Sequence, residues 1–146
     1  MNASLQQIDI RTHLKDATLF REDAFINGKW VKAKSGATFS VNNPATGDII
    51  ANVTNLDSGD AELAIAAAEQ ALSSWRSKTA KDRAMVMRKW FDLIIANTED
   101  LAILMTLEQG KPLVESRGEV AYGASFVEWF AEESKRVTGA IIESTW

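Results

Sequence analysis

Residues 98–113 read TEDLAILMTLEQGKPL and predict a helix with a defined start, a defined end and no polar side. Glu99 and Asp100 fall in its first turn, where the positive end of the helix dipole stabilises acidic side chains. Gly110 and Pro112 are a strong stop signal, because glycine readily adopts the left-handed conformation that ends a helix and proline cannot continue one. Leucine, isoleucine and methionine occupy nearly every side between these points, so this helix is expected to be surrounded by other elements.

Two helices are predicted before it. The first begins at Asp57 or Ser58, and the second at Thr79, where Asp82 three residues later resembles a capping box. Apolar residues recur at helical spacing in both helices. The first helix has one such stripe, made of Ala61, Ala64, Ile65, Ala68, Leu72 and Trp75. The second helix has two neighbouring stripes, which indicates contact on two of its sides: Ala84, Met87, Phe91 and Ile94, and beside them Val86, Trp90 and Leu93.

A fourth helix is predicted from about Leu113 to Val137. One apolar stripe is made of Val120, Ala124, Val127 and Ala131. The segment FVEWF, residues 126–130, places aromatic side chains on another side. Aromatic residues at this spacing are typical of a core, and the alternative is a ligand-binding cluster. The charged residues that follow, from Glu132 to Arg136, indicate a solvated face.

Residues 24–54 predict a small antiparallel β unit. Asn27-Gly28 between apolar residues is a strong hairpin signal, because a type I′ turn needs positive φ at both central positions. A second pair of strands, Thr38 to Val41 and Asp48 to Val53, is separated by turn residues that include Pro44 and Gly47. Residues 1–23, which precede this unit, predict a weak helix or an ordered arm.

Composition excludes several classes of protein and site. The 146 residues carry a formal net charge of −4, with no cysteine. A nucleic-acid binder would need a basic surface, and a disulfide, a thiolate metal site or a cysteine nucleophile would need cysteine. The amino terminus does not resemble a secretory signal, and no apolar run is long enough to cross a bilayer. The sequence therefore predicts a cytoplasmic protein without a nucleic-acid or membrane partner.

No catalytic, cofactor-binding or metal-binding residue is predicted. Neither common glycine-rich phosphate motif occurs, and no serine has a nucleophile-elbow pattern around it. The single histidine, His13, lies in a polar stretch and is interpreted as a solvated side chain. Glu108 and Lys111 flank the end of the third helix, which is interpreted as a helix terminus with Lys111 near the negative end of its dipole.

The four helices display more apolar surface than they can bury among themselves. Unshielded faces are expected around Leu104, Phe126 and Trp129, and together they would exceed the apolar patch that a soluble monomer usually tolerates. We therefore expect a further body of protein to pack against these helices.

Four segments, in order, resemble the amino-terminal part of aldehyde dehydrogenases. They are LKDATLFREDAFINGKWV at 14–31, NPATGDIIANV at 43–53, TLEQGKPLVESRGEV at 106–120 and ASFVEWFAEESKRV at 124–137. Within that superfamily they are most similar to succinate-semialdehyde dehydrogenases and to relatives that act on glutarate semialdehyde. The resemblance implies an α/β fold in which this chain supplies the β unit, about four helices and an incomplete Rossmann-like cofactor domain.

The resemblance also implies an NAD- or NADP-dependent oxidation of a small aldehyde to a carboxylic acid by homo-oligomeric enzymes. In that family a cysteine thiolate attacks the aldehyde, a glutamate activates water, and an asparagine helps to hold the oxyanion. None of these residues can be carried over to this sequence, so no cofactor is expected to bind this chain alone. A monovalent-cation site near Asn42 and Glu108 is also implied.

The resemblance divides the chain into an arm, residues 1–23, and a partial cofactor domain, residues 24–146, with the β unit over 24–54 and helices over 57–137. Two hypotheses follow for its function. The first is a fragment of a succinate-semialdehyde dehydrogenase that is inactive alone. The second is a non-enzymatic helical interaction module derived from the same fold. The segment after the fourth helix, residues 139–146, departs from the family pattern G-x-x-I-P, which a truncated gene, a frameshift or a fragmentary gene model would each explain.

Overall fold

The computed structural model describes residues 7–144 and contains the predicted β unit followed by four helices. Two short 3-10 turns, Ile10–His13 and Ala17–Leu19, lie in the described part of the predicted arm. The strands are β1 (Ala24–Ile26), β2 (Lys29–Val31), β3 (Thr38–Asn42) and β4 (Ile49–Thr54). The helices are α1 (Ser58–Arg76), α2 (Ala80–Ala96), α3 (Thr98–Gln109) and α4 (Leu113–Glu133). None of the helices in this described part is long and apolar enough to cross a membrane.

The strands form two separate antiparallel hairpins, β1–β2 and β3–β4. In the first hairpin Phe25 pairs with Trp30, and the two rings lie 5.1 Å apart. Asn27 and Gly28 have φ values of 50° and 75°, so the predicted turn with two positive φ angles is confirmed. In the second hairpin the register shifts between Val41 and Asn42, where the strand passes into the turn.

The arm supplies half of the buried cluster at the centre of the molecule. Ile10 and Phe20 from the arm pack with Ile50 and Ala51 of β4. Two backbone N–H groups of the arm fix its path: that of Ile8 donates to the Ile49 carbonyl at 3.0 Å, and that of Lys15 donates to the Asp100 carboxylate at the start of α3, also at 3.0 Å. The arm is therefore an integral part of the core.

Helix α3 is surrounded as its sequence predicts. Its residues Leu104 and Leu107 pack against the central cluster, and Ala102 on another side is fully buried. The expectation of an unshielded Leu104 was wrong, because the arm and β4 cover that side of α3.

Side-chain contacts join α3 to α4. The hydroxyls of Thr106 and Ser116 lie 2.8 Å apart, and Ser116 is completely buried. Near the start of α3, Arg117 of α4 donates two hydrogen bonds to the Glu99 carboxylate, from Nε to Oε2 at 2.8 Å and from Nη2 to Oε1 at 2.7 Å. This two-point ion pair adds an exposed contact between the two helices.

Helix α4 packs against α2 through small residues. Ala84 of α2 and Ala124 and Ala131 of α4 are all buried, which lets the two helices approach closely. At the rim, Arg88 reaches across from α2 to Glu128 at 2.9 Å. The predicted stripe of α4 from Val120 to Ala131 is therefore confirmed as its packed side.

Helix α4 ends at Glu133, four residues before the expected Val137. The next residues, Lys135 and Arg136, turn back and pair with Glu132 and Glu133 at 3.3 and 3.2 Å. Beyond them Val137, Thr138 and Gly139 all have low helix propensity, which gives a physical reason for the earlier end.

Helix α1 has a well-formed start and little packing. Asp57 and Asp60 form a reciprocal capping box, with the Asp60 N–H donating to Asp57 Oδ1 at 3.0 Å. The predicted apolar stripe is not buried: Ile65 and Leu72 are exposed, and the principal neighbour of the helix is β1. Only the small residues Ala64 and Ala68 of the stripe lie beside β1, so its large side chains are left uncovered by the described elements.

Candidate functional site: an exposed apolar surface on α2 and α4

The polar residues considered for chemistry lie apart from one another. His13 is exposed at the end of the first 3-10 turn, as its sequence context predicts. Within residues 7–144 there is no group of three histidine, aspartate or glutamate side chains placed to hold a metal ion. The acidic and basic side chains of the α4 end, residues 132–136, pair with each other and form the solvated face predicted for them.

The end of α3 is held against the β3–β4 turn. Gly110 has φ +74°, which confirms the predicted left-handed helix stop. A Cβ at this position would lie 2.8 Å from Pro44 Cγ, so the close approach also requires glycine. Lys111 forms an ion pair with Glu119 of α4, which gives its charge a more specific partner than the dipole of α3.

This contact brings together the two segments that the cation-site prediction involves. Asn42 is exposed at the end of β3, where its side-chain amide donates to the Gly47 carbonyl at 2.9 Å. Glu108 is exposed in the last turn of α3, two residues before Gly110. The segments are neighbours through Pro44 and Gly110, and a cation site between them stays a prediction.

Two ion pairs have clear electrostatic consequences. The hydrogen bond from Arg117 lowers the pKa of the Glu99 carboxyl, and the same contact raises the pKa of Arg117. The hydrogen bond from Arg11 likewise lowers the pKa of Glu22, whose other carboxylate oxygen accepts from the Asn52 N–H. Both pairs tie one element of the packed region to another, so their role is structural.

The most prominent surface is the aromatic face of α4, which consists of Tyr122, Phe126, Trp129 and Phe130. Trp129 is 62% exposed, and Phe126 and Phe130 are about half exposed. The rings of Tyr122 and Phe126 meet edge to face, with centroids 4.8 Å apart. The interpretation of the FVEWF aromatics as core was wrong, because the packed side of α4 is the opposite one, made of valine and alanine. The expectation of unshielded faces around Phe126 and Trp129 is confirmed.

Helix α2 repeats this arrangement. Its first stripe is buried or half-buried against α4, from Ala84 to Ile94. Its second stripe, the outer face of α2, consists of Val86, Trp90 and Leu93, each more than half exposed. The predicted contact on two sides is therefore present on one side and open on the other.

An extended apolar surface of this kind is suited to packing rather than to chemistry. Single exposed apolar side chains are common, but rows of large ones at helical spacing mark surfaces that contact other protein. Trp129 and Trp90 are residues of the type that dominates such contacts, since they bury large areas with few rotatable bonds. Apart from the phenol of Tyr122, no side chain in these rows carries a group that could act as a nucleophile or a general base.

One structural residue escaped sequence reasoning. The Asp100 carboxylate is buried and accepts hydrogen bonds from the Lys15 and Asp16 N–H groups, at 3.0 and 2.8 Å. An acidic residue in a first helical turn is assigned to the helix dipole, and nothing local indicates its partner 84 residues away. This contact fastens the arm to α3.

Comparison with known proteins gives a consistent result. Residues 30–146 match the aldehyde dehydrogenase family. The chain is 57% identical over 129 residues to the glutarate-semialdehyde dehydrogenase of Pseudomonas aeruginosa, covering 88% of this chain and 27% of that protein. It is 51% identical over 129 residues to the NADP(+) succinate-semialdehyde dehydrogenase of Escherichia coli, covering 88% of this chain and 27% of that protein.

A solved structure has the same fold over this region. The succinate-semialdehyde dehydrogenase of Burkholderia pseudomallei superimposes with a TM-score of 0.88 at 52% identity, covering 90% of this chain and 27% of that one. The chain thus spans about a quarter of the length of the relatives that it matches. From the family match and this shared fold, the chain belongs to the aldehyde dehydrogenase family and corresponds to its amino-terminal part.

Proposed function

We propose that this chain is the amino-terminal segment of an NAD(P)-dependent semialdehyde dehydrogenase and that its role is to dock onto the rest of that enzyme. The observation that carries the proposal is that α2 and α4 each have two apolar sides, of which this chain covers one. Each helix buries one apolar stripe inside the chain and presents a second one outward, at Trp90 and at Trp129. A helix built to contact protein on both sides is incomplete with only one side covered.

The proposed substrate is a short aliphatic semialdehyde with a carboxylate at its far end, succinate semialdehyde first. Relatives named for the succinate and the glutarate compounds are 51% and 57% identical to this chain. These two substrates differ by one methylene group. Because the two identities are so similar, this segment supports the class of substrate, a semialdehyde with a carboxylate, more strongly than it supports one carbon-chain length.

The cofactor is proposed for the complete enzyme and not for this segment. The 146 residues contain no glycine-rich phosphate motif and no cysteine, so they fit neither a bound dinucleotide nor the thiol that attacks the aldehyde. We derive no catalytic step from this chain. A cytoplasmic location and assembly into homo-oligomers belong to the same proposal for the complete enzyme.

Complementation in trans tests the docking role. The chain is mixed with the part of the Pseudomonas aeruginosa relative that it does not match, and NAD and NADP reduction is followed with succinate and glutarate semialdehyde. We expect no turnover with either component alone and a stable complex with measurable turnover when both are present. Turnover by this chain alone, or saturable quenching of its tryptophans by NADP, would contradict the proposal.

A pair of variants shows whether the aromatic face makes the contact. Trp129→Ser removes an exposed ring, so we expect the stability of the isolated chain to change by less than about 0.5 kcal/mol while complex formation weakens at least tenfold. Glu132→Ser, on the same helix but outside the aromatic face, serves as the matched control and should leave binding unchanged. Equal binding by both variants would remove α4 from the interface.

The second candidate is a non-enzymatic interaction module, and it is favoured by the central cluster of Ile10, Phe20, Ile50 and Ala51, which is buried within this chain. Such a module would unfold cooperatively and elute as one defined species in size-exclusion chromatography. The fragment hypothesis instead expects aggregation or strong binding of a hydrophobic dye, through the exposed rows on α2 and α4.

A further inference from the structure

We draw no further inference here: the strongest candidate, the aromatic face of α4 made of Tyr122, Phe126, Trp129 and Phe130, already carries the docking role proposed above, and nothing in the structure shows any other occupant that would cover it.

Discussion

Helices α1 and α3 reach the same secondary structure by opposite routes. Helix α1 has a complete capping box at Asp57 and Asp60 and is rich in alanine, but most of its residues are exposed. Helix α3 has no side-chain cap at Asn97, and yet it is enclosed by the arm, β4 and α4. Helix α1 thus depends mainly on local signals, whereas burial stabilises α3, so the two should respond very differently to mutation.

The largest expected difference comes from a matched pair of isoleucines. Ile10 is 1% exposed in the central cluster, and Ile65 is 68% exposed on α1. Ile10→Ala should lower the free energy of unfolding by about 3 kcal/mol, because it removes buried methyl groups and leaves a cavity. Ile65→Ala should change it by less than about 0.5 kcal/mol, since alanine is also the better helix former. Urea denaturation followed by circular dichroism measures both, and equal effects would contradict the contrast.

Asp100→Ala should have the next largest effect. It removes the charged acceptor for the Lys15 and Asp16 N–H groups, and because water can reach these exposed residues in the variant, the expected loss is about 2 kcal/mol in all. Asp92→Ala, at an exposed position of α2, is the control and should cost less than about 0.5 kcal/mol. Limited proteolysis adds a second measurement: cleavage within residues 7–23 should accelerate only in the Asp100 variant. An arm that stays protected in that variant would show that the carboxylate does not hold it.

Two glycines differ in whether the structure requires glycine at their position. Gly110→Ala should destabilise the chain by about 2 kcal/mol, because residue 110 has φ +74° and its new Cβ would overlap Pro44. Gly123→Ala, in the middle of α4 with no atom within 4 Å of the new Cβ, should stabilise it by up to about 1 kcal/mol. Thermal unfolding gives both signs directly. Destabilisation by both variants would mean that α4 is more crowded than described.

The smallest effect is electrostatic. Glu22 and Glu99 have lowered pKa values in the folded chain, so their contribution to stability is present above their ordinary pKa of 4.5 and is lost as the pH falls through the lowered values. Arg117→Gln should therefore reduce stability at neutral pH and converge with the unmodified chain once the pH has fallen below the lowered pKa of Glu99. Lys89→Gln removes one positive charge elsewhere and should show no such convergence. A penalty for Arg117→Gln that persists at low pH would assign Arg117 a packing role instead.

Much of the fold follows from local sequence. The Asn27-Gly28 turn, the caps at Asp57 and Thr79 and the stop at Gly110 each depend on residues within one turn of the feature, so their chemistry can be interpreted directly. The motifs from Leu14 to Val137 also indicate the family, because sequence order alone is enough for that comparison.

The packing of the exposed surface could be predicted only in part. Periodicity showed that α2 and α4 each have two apolar sides, but it could not decide which side this chain covers. Leu104 and Phe126 are equally apolar; one lies under the arm and the other is open, and this depends on contacts between residues far apart in sequence. The hydrogen bonds from the arm to Asp100 could not be predicted for the same reason.

Hydrogen exchange of the backbone amides, read by mass spectrometry with and without the unmatched part of the Pseudomonas aeruginosa relative, tests the central claim most directly. In the chain alone, α1 and the outer faces of α2 and α4 should be the weakly protected regions, and α3 the strongly protected one. Addition of the partner should slow exchange in α1, α2 and α4 by at least tenfold and leave α3 nearly unchanged. Protection of α1 equal to that of α3 in the isolated chain, or no change on addition of the partner, would contradict the account.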